Sequence, residues 1–117
     1  YLERIYSSLE QSGFDPEITD AVVLAFKPGS KNFVGGNYIC RLAVRNNARP
    51  HLSKDKLNEV EGWLDFLVHA NVVLTHGKAG DGTYSLNPHI DEQSIPNRTL
   101  RQLVQYRMSH NHGSNRG

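Results

Sequence analysis

Leu2, Ile5, Tyr6 and Leu9 recur at the i, i+3, i+4, i+7 spacing that lines one side of an α-helix, and Gly13 follows as a stop. An amphipathic helix is therefore expected over residues 1–12. Asp15-Pro16-Glu17 opens a second helix at 16–26: the aspartate can accept from free N–H groups, the proline suits the first turn, and the glutamate complements the positive helix end. Its apolar positions Ile18, Val22, Leu24 and Phe26 cover more than one face, which marks a buried central helix ending at Lys27-Pro28-Gly29.

The polar, glycine-rich stretch 30–37 reads as a loop in which Phe33 and Val34 form a short strand or an anchor, and Asn37 is placed to cap a third helix at 38–46. In that helix Tyr38, Ile39, Leu42 and Ala43 face inward, while Arg41, Arg45 and Arg49 project outward. Ser53 caps the strongest pattern in the chain, a helix at 54–70 with Leu57, Val60, Leu64, Leu67 and Val68 in one stripe, widened by Trp63 and only slightly weakened by Gly62. Asn71 suits the left-handed conformation that closes many helices. Val72-Val73-Leu74-Thr75 and Thr83-Tyr84-Ser85-Leu86, either side of a turn with three glycines, predict a β-hairpin that Asn87-Pro88 ends. A linker through Pro96 leads to a last helix on Leu100, Leu103, Val104 and Met108, and residues 109–117 are expected to be a disordered tail.

The predicted fold is thus mainly α with one β-hairpin, in a single domain at 1–108. Apolar residues make up 38% of the 117, gathered in periodic clusters, which is the pattern of a folded module. A lone cysteine, Cys40, offers no intramolecular disulfide and points to a reducing, intracellular compartment, and no stretch approaches the roughly 18 apolar residues that span a bilayer. The first residue is Tyr1 and not Met, which leaves open that the chain is a segment of a longer protein.

Net charge is only +1, but the charges are segregated. Residues 1–26 hold five acids against Arg4; 27–54 hold six bases (Lys27, Lys31, Arg41, Arg45, Arg49, Lys54) and no acid; 55–92 hold seven acids against Lys56 and Lys78; the remainder carries four arginines. Such blocks permit a basic patch that attracts phosphate, and equally permit opposite segments to neutralise one another on folding.

The run Trp63-Leu64-Asp65-Phe66-Leu67-Val68-His69-Ala70-Asn71-Val72-Val73, followed by strand, glycine-rich turn and strand, resembles the second half of a winged helix-turn-helix domain. The resemblance covers 16–86. It implies a winged-helix-like core of three helices plus a wing at 72–86, with an extra helix at each end of the chain. It also implies that the helix at 54–70 is a recognition helix, although Asp55, Glu59, Glu61 and Asp65 make that helix acidic, against Lys54 and Lys56, and its preceding turn is long.

The expected function is binding. The favoured partner is nucleic acid, duplex DNA held mainly by its backbone through Arg41, Arg45, Arg49, Lys54, Lys56 and Lys78, with Asn58 as the residue for a base edge. The alternative is a winged helix that binds a partner protein in a replication, transcription or chromosome-organisation complex, for which exposed Phe66 and Tyr106 would matter; the stripe itself predicts Phe66 in the core. No catalysis, cofactor, metal or small-molecule substrate is expected. The six histidines include no H-x-x-x-H pair, His110-Asn111-His112 falls in the tail, and Gly29-Ser30-Lys31 lacks the upstream glycine of a phosphate-binding loop.

Overall fold

A computed structural model describes residues 2–26, 33–35, 38–77 and 82–114. Helix α1 (Leu2–Gln11) buries Ile5 and Leu9 and ends at Gly13, whose φ of 87° is in the region that glycine enters without penalty. Helix α2 (Pro16–Ala25) begins as its sequence predicts: one oxygen of Asp15 accepts from the N–H groups of Glu17 and Ile18 at 3.0 and 3.1 Å. Burial on several faces makes α2 the centre of the molecule, packed against α1 and the three helices α3, α5 and α6 defined below.

Residues 38–40 depart from the expected third helix. They form strand β2 (Tyr38–Cys40), paired antiparallel with β1 (Phe33–Gly35) on one side and with the second hairpin strand on the other. Ile39 lies opposite Tyr84 and is fully buried there, so pairing and burial against a strand distant in sequence override the local helical spacing. Helix α3 therefore starts later, at Arg41–Ala48, and a 3-10 turn over Arg49–His51 carries the chain past Pro50.

The long helix expected at 54–70 is divided into α4 (Lys54–Leu57) and α5 (Val60–His69). At the junction the Glu59 N–H donates to the Lys56 carbonyl, three residues back instead of four. This tighter pitch stacks residues i and i+3, which puts Leu57 and Val60 both into the core. Beyond α5 the predicted closure holds: Asn71 has φ 65°, and the Val72 N–H returns to the Leu67 carbonyl.

The expected hairpin forms from β3 (Val73–His76), set one residue later than the predicted 72–75, and β4 (Thr83–Leu86), with Val73 opposite Leu86 and His76 opposite Thr83. Its sheet is larger than a hairpin: the four strands lie in the order β1-β2-β4-β3. Buried Asn87 fastens the hairpin's exit to the end of α5, donating from its side chain to the Asn71 carbonyl at 2.7 Å and from its N–H to Val72 at 2.9 Å. Helix α6 (Arg98–Ser114), capped by the Asn97 side chain on the Leu100 N–H, runs past Met108 into the stretch read from sequence as a tail. It packs Leu100, Leu103 and Val104 against α1 and α2. The molecule is mainly α with a small antiparallel sheet, and among the described residues no helix is long and apolar enough to cross a membrane.

Candidate functional site

The residues expected to form one basic face are divided between two sides of the α4–α5 segment. Arg41, at the start of α3, is turned toward α5. Its guanidinium donates to Asp65 at 2.5 Å and to the Glu61 carbonyl at 3.2 Å, lies 3.9 Å from the Glu61 carboxylate, and sits 5.7 Å from the centre of the Tyr84 ring. Partial burial disfavours its charge, but the hydrogen bond to Asp65 and its interactions with Tyr84 outweigh this, so its pKa lies above the ordinary value.

One turn along α3, Arg45 is half-buried and donates to the Asn58 side-chain oxygen at 3.4 Å. Asn58 is the residue expected to face a base edge. Arg49 and Lys54 are exposed and have no ion pair among the described residues. Lys56 points the other way, to the start of α2, where its ammonium lies 3.2 Å from Asp15 and 3.0 Å from Glu17. The hydrogen bond to Glu17 is the main cause holding its pKa above the ordinary lysine value; burial opposes it and Asp15 assists. Lys78, together with the cap residue Asn37 and the bases Lys27 and Lys31, lies outside the described residues.

The outward side of α5 is acidic and aromatic. Glu61 and Asp65 are exposed there, and Phe66 is 42% exposed instead of belonging to the core. The helical stripe misplaces Phe66 because the core takes Val60, Leu64 and Leu67, leaving Phe66 on the flank. It is held in a cluster, its ring centre 5.1 Å from that of Phe14 and 5.0 Å from that of Trp63. Tyr106 of α6 is half-buried, with the Arg107 guanidinium 5.8 Å from its ring centre.

Sequence reasoning passed over a polar cluster that joins three helices. Asp20 of α2 accepts from the Tyr6 hydroxyl at 3.0 Å and from Arg107 Nη2 at 2.9 Å, and Arg107 Nε pairs with its other oxygen. Burial is the leading cause that raises the Tyr6 pKa. The complementary charges of Asp20 and Arg107 are visible in the chain, but nothing local pairs them.

Among the described residues no group of three or more His, Cys, Asp or Glu side chains is placed to hold a metal ion. His76 instead meets Ser85 Oγ at 2.9 Å and the edge of the Tyr38 ring. No protein-family model, curated protein or solved structure matches the chain.

Proposed function

We propose that the chain is a winged-helix module that binds a partner protein through the outer face of α5 and the aromatic cluster beside it. The winged-helix part of this reading is supported by chain order: α2, a strand, α3, the α4–α5 segment and then a hairpin, with β2 adding to the hairpin through β4. The choice of partner rests on one observation. Arg41 is bound to Asp65 and Glu61, so that among the described residues this face is carboxylate-rich with the base beside it already paired. A helix in a major groove lies between two phosphate backbones, and carboxylates there oppose binding. An acidic face with an exposed aromatic suits a protein surface, where aromatic anchors supply most of the binding energy.

Duplex DNA remains a second reading because Arg49 and Lys54 are exposed and without ion pairs among the described residues, next to Arg45 and Asn58. Photo-crosslinking separates the two. Benzoylphenylalanine is placed at the position of Phe66 in one variant and of Arg49 in another, each expressed in the native cell. The protein reading expects a nuclease-resistant, protease-sensitive adduct from the first position and none from the second; a nucleic-acid adduct from the second overturns it.

A further inference from the structure

Gly62 is the third residue of α5, in its first turn, and glycine is a poor helix former there as elsewhere in a helix. Its φ is not positive, and a Cβ built on it meets nothing within 4 Å, so neither backbone conformation nor internal packing requires a glycine. What the missing side chain leaves open is an outside surface. Gly62 lines a cleft of about 510 Å³ with Gly13, Asn58, Glu59, Trp63 and Phe66.

A second cleft, of about 850 Å³, adjoins it and shares Gly13 and Trp63 with the first. Its wall carries Glu10, Asp15 and Glu17, which Lys56 can only partly neutralise, and Asp20, whose charge is met by Arg107. Glu10 has no ion pair among the described residues, and neither has Glu59 on the rim of the first cleft. An aromatic-lined hollow therefore opens directly beside a pocket of surplus negative charge.

Resting on the protein-binding reading above, we infer that these joined clefts take a peptide segment of the partner that carries an apolar side chain next to basic ones. The apolar side chain packs over Gly62 between Trp63 and Phe66, and the lysine or arginine beside it enters the second cleft toward Glu10 and Glu17. Charge complementarity selects the basic segment, because an acidic one would meet carboxylates in both clefts.

The test is a titration of the 15N-labelled chain, followed by NMR, with a synthetic peptide holding Leu-Trp beside Lys-Arg. Controls are the same peptide with Glu-Glu in place of Lys-Arg and a short DNA duplex. The basic peptide is expected to shift Gly13, Gly62 and the Trp63 indole saturably, and to bind about tenfold or more weakly to Gly62→Leu and to Glu10→Lys. Gly62→Leu enters open space and leaves the core unchanged, so its loss of binding reports the cleft; retained dispersion of the spectrum verifies its fold. Equal binding of the acidic peptide, shifts away from the clefts, or no response to the basic peptide overturns the inference. If the chain is also indifferent to the duplex, only the peptide chemistry falls; if the duplex shifts Arg45, Arg49 and Lys54, the protein-binding reading falls with it.

Discussion

Arg41 Nη2 lies 2.5 Å from Asp65 Oδ1, joining the first turn of α3 to the outer face of α5. This contact decides how the surface reads. A base that sequence assigns to phosphate binding is directed at a carboxylate of the same chain, and the pair is exposed enough for solvent to screen most of its contribution to stability. Its consequence is electrostatic more than energetic.

The double variant Glu61→Gln, Asp65→Asn is accordingly expected to lose no more than about 1 kcal/mol of stability. At low salt it should associate with duplex DNA more strongly than the wild type, because Arg41 is released and two opposing charges are gone. Urea denaturation checks the first expectation and fluorescence anisotropy the second.

Gly62→Ala should raise stability, by up to about 0.5 kcal/mol in the first turn of α5, since the new methyl group meets no neighbour and the helix gains propensity. Thermal denaturation measures it. A loss of stability would mean that Gly62 serves the fold itself, not the surface.

At the α1–α2–α6 junction, Asp20→Asn leaves the Arg107 guanidinium facing a neutral amide in a partly buried site. The expected cost is about 1–3 kcal/mol, more than for the exposed Arg41 pair. Comparing the two variants by urea denaturation tests that ranking.

Lys56 and Tyr6 both titrate above their ordinary values in the folded chain, Lys56 chiefly through its hydrogen bond to Glu17 and Tyr6 chiefly through burial. For a folded pKa raised above the unfolded one, the contribution to stability is complete below the unfolded pKa and disappears as pH rises through the folded one. Stability should therefore fall from about pH 10 upward. Lys56→Met should flatten that decline, which denaturation at a series of alkaline pH values would reveal; an unchanged profile would show that the Glu17 contact does not persist in solution.

Much of the fold was legible because its signals are local. Asp15 beside Pro16 caps α2 within one turn, Gly13 and Asn71 close helices through their own backbone angles, and β3 and β4 lie either side of one short glycine-rich stretch of sequence. Where the sequence misled, the deciding partner lay far along the chain. Tyr38–Cys40 has helical spacing but becomes a strand because Ile39 finds Tyr84. Lys56 looked available to phosphate until folding placed it against Asp15 and Glu17, and Arg41 until α5 presented Asp65. Charge blocks reveal how many bases a segment carries, while neutralisation depends on which blocks become neighbours. Phe66 was misplaced for a different reason: α5 is apolar enough to fill the core without it.

Whether this surface engages protein or a phosphate backbone is decided by titrating labelled duplex DNA with the wild-type chain at about 0.15 M salt. A protein-binding surface should show no saturation up to about 100 µM, at the weak limit of nonspecific DNA binding. Saturable binding in the micromolar range that weakens steeply with salt and is lost in Arg45→Ala, Arg49→Ala would contradict it.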